Sequence, residues 1–235
     1  MILFCGVGAA AQSHPPAVQP TPSATPWLAT VTTTARRLLH GTEELPAAAV
    51  RHWRVAVPVV VGTGLFIAYG DAPLSAHIQS SRLESRSTTW SNRGLFAIEP
   101  ALVLATAAIE ERCLFCAGVG NTAAATLTSE AYAMAAVRTL SFAAGRERPG
   151  VPLDGNGNFW EGGTSFPSGH ATAAFTMASV LAHRYPRAKW AAWAAYATAA
   201  GVAGARFSAK EHFPADLLVG SALGAALGDC AVHCQ

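Results

Sequence analysis

Gly145-Arg146-Glu147-Arg148-Pro149, Ser165-Phe166-Pro167-Ser168-Gly169-His170, and Arg206 followed by His212 and Asp216 are three polar clusters in the stretch from Gly145 to Asp216. The last two flank an apolar run, Trp190–Ala205, that reads as one long helix. Each cluster falls where a helix is expected to end or begin, which gathers the three at one end of a helical bundle. Two histidines, two or three arginines and an aspartate so placed suit a phosphate oxyanion and proton transfer, not a core.

The remainder of the chain agrees with a bundle. Its 235 residues suffice for one domain with a substantial core. They are 51% hydrophobic and only 13% charged, about half the charge usual in a soluble protein, and the mean hydropathy is +0.28. Alanine dominates, and β-branched residues cluster only at Val55–Val61, so an all-α bundle of about six helices, membrane-spanning, is expected. A formal charge of +2 with no basic, aromatic-interleaved patch excludes a nucleic-acid partner. Cys113 and Cys116 have CxxC spacing, and Cys230 and Cys234 lie near the end; these four thiols read as a zinc set, as small apolar residues near helix ends, or as disulfides between the pairs if both ends face an oxidising compartment.

Met1–Gln12 is apolar and ends in Ala9-Ala10-Ala11-Gln12, like a signal-peptide cleavage region, and Ser13–Pro26 is a Pro-rich linker. Residues 1–30 are therefore set apart from a helical domain over 31–235. Thr34–Arg54 reads as an amphipathic helix at a membrane surface. Candidate spans are Val55–Gly70, Leu95–Ile109, Thr122–Ala144, Gly169–Ala182, Trp190–Ala205 and Pro214–Ala231, with Asp71–Gly94 outside the bilayer. Glu130 and Arg138 interrupt the third span and are expected to face a pocket or to pair. Basic residues before the first span and at Arg184, Arg187 and Lys189 place those ends in the cytoplasm. All three clusters then open on the opposite, non-cytoplasmic face.

The chemistry of each cluster follows from its residue types. Ser168-Gly169-His170 at a helix start offers backbone N–H groups to an anion, with Ser168 as the plain N-cap alternative. Arg148 and Arg206 carry planar forks that match phosphate oxygens. His212 and Asp216 are four apart across a helix start, so the carboxylate can orient the imidazole. Together the clusters resemble the type 2 phosphatidic acid phosphatase family, related to bacterial non-specific acid phosphatases and vanadium haloperoxidases. The family pattern is Lys, six residues, Arg-Pro; then Pro-Ser-Gly-His; then Ser-Arg, five residues, His, three residues, Asp. Arg148-Pro149, Pro167-Ser168-Gly169-His170, and Arg206 with His212 and Asp216 match it in order and spacing, over about the C-terminal half of the chain.

The resemblance implies a metal-free, cofactor-free phosphatase acting on a lipid phosphate or diphosphate in a cell membrane of the bacterial inner-membrane type. His212 would attack phosphorus to form a phosphohistidine, with Asp216 holding its other nitrogen, and His170 would protonate the leaving group. Arg148, Arg206, Ser168 and the Gly169 amide would hold the equatorial oxygens. Two positions depart from the pattern: Ser141 stands where the family has Lys, and Ala205 where it has Ser. Arg138, one turn before Ser141, is the expected substitute for the missing charge, and Arg146 the second candidate. Three alternatives stay open: a soluble secreted acid phosphatase, a vanadate-dependent haloperoxidase, and a non-catalytic membrane protein on the same scaffold.

Overall fold

Gly220, Gly224 and Gly228 recur every fourth residue along one face of the last helix and let it meet its neighbour backbone to backbone. A Cβ at Gly224 would lie 2.2 Å from the Thr172 carbonyl oxygen; one at Gly228 would lie 2.5 Å from that of Thr176, and one at Gly220 2.6 Å from that of Ser168. The opposing face answers with short side chains. Thr172 and Thr176 turn their hydroxyls onto the carbonyls of Ser168 and Thr172, and Ser179 bonds the Ala225 carbonyl across the seam. Close approach of this small-residue kind is the usual way that helices pack where hydrophobic side chains give no selective force.

The computed structural model describes residues 26–43, 53–77, 81–93, 97, 101, 122–149 and 157–233. Among them every regular element is helical: α1 (Pro26–Glu43), α2 (Trp53–Leu65), a π turn (Phe66–Gly70) leading into α3 (Asp71–Ala76), α4 (Ser81–Arg93), α5 (Thr122–Ala144), α6 (Gly169–Arg184), α7 (Lys189–Ser208) and α8 (Pro214–His233). The α6–α8 pair forms the centre, with α5 and α7 against α6, α4 against α7, and α1 and α2 against α8. The main apolar cluster gathers Leu38, Ala125, Ala133, Val180, Leu227 and Ala231 from four helices. All-α architecture is as expected from the alanine-rich composition.

Several boundaries differ from expectation, for physical reasons. Of the amphipathic segment expected at Thr34–Arg54, the part up to Glu43 lies in a helix that begins earlier, at Pro26, and docks into the bundle; residues 44–52 lie outside the described residues. Leu38 and Thr34 are buried there, and the Arg37 guanidinium donates to the Ala231 and Val232 carbonyls, which α8 leaves open at its C-terminus. The first apolar segment does not stop at Gly70 but runs through the π turn to Ala76. Asp71, expected outside the bilayer, is 1% exposed because its carboxylate is paired (below).

Of the six candidate spans, two described helical stretches are long and apolar enough to cross a membrane: Arg54–Ala76, with mean hydropathy 1.6, and Pro214–His233, with 1.5. They differ in burial. α8 is a core helix, whereas only 6% of the first stretch's most apolar window is buried, and Val55, Val57, Val60, Val61, Leu65, Ile67 and Leu74 stand bare on it. The span at Leu95–Ile109 falls, but for two isolated residues, outside the described residues, as do Met1–Gln12 and the linker after it. Cys230 is disulfide-bonded. The other four cysteines lie outside the described residues. A disulfide sulfur is not a thiolate ligand, which removes the four-cysteine zinc set.

The glycine stripe makes a sharp prediction. Gly224→Ala should destabilise the protein by about 3 kcal/mol, the upper end for overpacking, because backbone receives the new methyl. Gly204→Ala on α7, with nothing within 4 Å, should instead stabilise by ~0.5–1 kcal/mol. Thermal unfolding of both variants checks this, and equal shifts would refute the close-packing account.

Candidate active site

The site is built at one end of the bundle, where α5 and α7 end and α6 and α8 begin. α5 stops at Gly145, whose φ of +55° is the left-handed conformation that closes helices. The chain after it is zipped to a second loop: Glu147 N–H donates to Asn158, Ser165 N–H to the Arg146 carbonyl, and Gly163 N–H to Gly145. The fit leaves no room for a side chain at Gly163, where a Cβ would lie 2.2 Å from the Arg146 carbonyl oxygen. This pairing brings Arg146, Arg148 and Ser165 to the heads of α6 and α8.

Arg146 is 1% exposed and fully engaged. Its Nε donates to the Gly157 carbonyl at 3.0 Å, and its two amino groups reach Asp216 Oδ1 and Asp71 Oδ2, each at 2.6 Å. Phe159 and Phe213 both pack their rings against the guanidinium, with ring centres 4.9 and 4.5 Å from it. The two carboxylates are capping groups as well. Asp216, in the first turn of α8, accepts the Phe213 N–H at 2.9 Å, one half of a capping box. Phe213 has no capping side chain, and Asp71 takes that place from α3 by accepting the Ala215 N–H at 3.0 Å.

His212 is 3% exposed. Its Nδ1 lies 2.7 Å from the Ser165 carbonyl oxygen, which can only accept, so Nδ1 carries a proton and, in the neutral ring, Nε2 keeps its lone pair. Asp216 Oδ2 is farther, 3.8 Å from Nδ1. It accepts instead from the Ser165 hydroxyl at 2.5 Å. The hydrogen bond that orients His212 is thus made by the Ser165 backbone, and Asp216 holds Ser165.

Arg148 and Arg206 meet at Glu211. Arg148 forms an ion pair with the Glu211 carboxylate and also lies 3.5 Å from the Thr164 hydroxyl. Arg206 reaches Glu211 at 3.2 Å, and Ser91 and Asn92 of α4 at 3.4 Å each. Among the described residues its buried Nε has no hydrogen-bond partner, a donor left for an incoming oxygen. His170, in the first turn of α6, places Nε2 at 3.1 Å from Asn92 Oδ1. Burial, then the positive charges of Arg206, His212 and Arg148, push its pKa down to about 4. Ser168 is fully buried, and its hydroxyl caps α6 by accepting the Ala171 N–H at 3.4 Å. Gly169 stands half-buried beside it.

The structure therefore brings together His170, His212, Asp216, Arg148, Arg206, Ser168 and Gly169. Arg138 is not among them: it is exposed on α5 while Ser141 is buried, because an offset of three residues turns the longer side chain off the buried face. Glu130 is half-buried on the same helix. Arg146 is inside, but its donors go to two carboxylates and a carbonyl instead of to the pocket. Asp71, Asn92, Glu211 and the Ser165 carbonyl are additions that the motif spacing does not reveal. Of these, Glu211 alone carried a local signal, being an acid lodged between the motif Arg and His.

The family model of the PAP2 superfamily matches residues 122–235, from the first residue of α5 onward. Over that segment, just under half of its length, the chain is similar to the PAP2 superfamily. No curated protein and no solved structure matches the chain. The similarity supports phosphatase-type chemistry, the hydrolysis of a phosphoric ester. The matched segment holds all three clusters, whereas Asp71 and Asn92 lie outside it.

Two predictions follow from the geometry. Glu211 already occupies the arginines that a phosphate would need, so Glu211→Gln should tighten inhibition by inorganic phosphate about 3–10-fold, as for loss of a partly exposed ion pair; unchanged or weaker inhibition would overturn that role. The depressed pKa means that His170 is neutral above about pH 4 in the empty site. If it is the required acid, kcat/KM falls as pH rises through that value. Arg206→Gln removes a neighbouring positive charge, so the same limb should move to higher pH even as its height drops. A limb that stays put would exclude His170 as the acid.

Proposed function

We propose that the protein is a phosphatase that hydrolyses a lipid phosphate or diphosphate monoester, such as phosphatidate, phosphatidylglycerophosphate or a polyprenyl diphosphate, at a membrane. The observation that carries this reading is the tautomer of His212. With Nδ1–H spent on the Ser165 carbonyl, Nε2 is a free nucleophile beside two arginines. In the first step Nε2 forms a bond to phosphorus as the P–O bond to the lipid breaks, and His170 gives its proton to the departing oxygen. In the second, water gives a proton to His170 and adds to phosphorus, the P–N bond breaks and inorganic phosphate leaves. Arg148, Arg206, with its unpartnered Nε, and the Gly169 amide stabilise the equatorial oxygens. Bound phosphate offsets the positive field around His170 and raises its pKa toward the value an acid needs. The step draws on no metal.

The bare apolar surface of α2 supports the lipid setting, since a surface of that extent is costly in water. The basic residues Arg184, Arg187 and Lys189 favour a site facing away from the cytoplasm. The disulfide at Cys230 favours a second reading. It lies at the far end of α8 from the site, and a soluble secreted phosphatase would keep both ends in an oxidising compartment.

The test is rapid quench with lipid substrate labelled at phosphorus, in detergent and EDTA. An acid-labile, alkali-stable phosphoenzyme should form in the native protein and be absent in His212→Ala, with turnover in that variant reduced by about 10³-fold or more. Loss of turnover in EDTA, or a labelled His212→Ala protein, would refute the mechanism. Release of the protein from membranes by alkaline carbonate would select the secreted reading.

A further inference from the structure

At the end of the bundle opposite the phosphate pocket, α6 and α8 finish side by side and bring together His183, Asp229 and His233. One ligand atom from each lies within 4.8 Å of the others. Asp229 and His233 are four apart on α8, with Asp229 Oδ1 at 2.7 Å from His233 Nδ1. The same carboxylate oxygen is 3.4 Å from His183 Nε2. The two imidazoles meet edge to face, with centroids 4.9 Å apart. We infer that these three side chains form a binding site for a divalent transition-metal ion, Zn²⁺ foremost, that joins the C-terminal ends of α6 and α8.

Four observations support a site over a chance surface pair. Two imidazoles with one carboxylate are a donor set that Zn²⁺ takes, with an open fourth position for water. His183 is preset for ligation: its Nδ1 lies 2.8 Å from the Ser179 carbonyl oxygen, which can only accept. The proton is therefore on Nδ1, and the Nε2 lone pair points at Asp229, the outer-shell arrangement that orients metal-bound imidazoles. The spacing is also near that of a loaded site. Tetrahedral ligands at Zn–N and Zn–O lengths of about 2.1 Å stand about 3.4 Å apart. The 3.4 Å separation fits this already, and the 2.7 Å one must open by about 0.7 Å. Finally, both helices end here, and their C-terminal dipoles favour a cation.

This site is remote from the chemistry. Asp229 follows Asp216 on α8 by 13 residues, about 20 Å of helix. The ion would act as a clasp on the α6–α8 seam, so it is independent of the proposed reaction, including its resistance to chelators. All three side chains reach solvent, with His183 34%, Asp229 55% and His233 57% exposed, so their replacement should leave the fold intact.

The experiment is titration of the detergent-solubilised full chain, stripped of metal, with ZnCl₂, followed by calorimetry and by thermal unfolding. One Zn²⁺ per chain should bind, and Zn²⁺ a hundredfold above Kd should raise Tm by about 5–10 °C. Each of His183→Ala, Asp229→Asn and His233→Ala should weaken Kd by more than the 10–100-fold that losing an outer-shell partner costs. Phosphatase kcat should be unchanged in all three. Co²⁺ in place of Zn²⁺ should give visible absorption in the native chain and none in His183→Ala. Absence of binding would overturn the site. So would binding that survives His183→Ala with His233→Ala, which would assign the metal to groups elsewhere on the chain.

Discussion

The guanidinium of Arg146, held between Asp71 and Asp216, is the contact on which the rest of the site depends. A buried cation with two carboxylates is expensive to desolvate, and it persists only where geometry and further hydrogen bonds compensate. Here they do. Each carboxylate also caps the start of α8, where the helix dipole offsets the excess negative charge. Two phenyl rings exclude water from the guanidinium. Removing Arg146 would leave both carboxylates uncompensated, a loss on the order of 3–5 kcal/mol. It would also unfasten three elements at once: α3, the loop after α5, and the head of α8.

That arrangement divides the positive charge of the site by role. Arg146 is spent on architecture, which leaves Arg148 and Arg206 for the substrate. Both share the single Glu211 carboxylate in the resting state. The pocket keeps a net positive charge, reduced until an anion displaces that carboxylate, and a phosphate, with more charge and three oxygens, is the stronger competitor. The family Lys that Ser141 replaces finds no successor in Arg138, which faces outward. The site works with two arginines, the free Nε of Arg206 and the start of α6.

Local spacing made much of this legible before any coordinates. Motifs at helix ends can be read because Pro214, Ser168 and Gly145 announce those ends, and because a bundle brings alternate helix ends to one side. What stayed hidden was long-range or made by backbone. Asp71 lies 75 residues from Arg146, in an apolar stretch where an acid reads as a loop residue. The partner of His212 Nδ1 is a carbonyl, which no residue identity encodes, so the nearest carboxylate in sequence attracted the assignment. Arg138 was misplaced by treating an offset of three residues as a shared face, when the real turn is 3.6 residues and the edge of the buried stripe falls between them. The fourfold glycine period in α8 was readable from sequence and is the signal that sets the central pair.

The glycine stripe and the catalytic constellation are parts of one packing solution. Gly220, its first member, lies under the turn that begins α6: a Cβ there would strike the Ser168 carbonyl. Because α8 can come this close, Ser168 N–H reaches the Asp216 carbonyl at 3.1 Å, and the Pro-Ser-Gly-His turn and the His-x-x-x-Asp turn are joined through their main chains. Asp216 then uses its side chain for Ser165 and Arg146 while its backbone holds Ser168. One residue therefore fixes the heads of both central helices and the loop that orients His212. A side chain at Gly220 would separate the two turns without touching any group in the reaction. The positions of nucleophile, acid and anion cradle thus follow from how near two helices can approach.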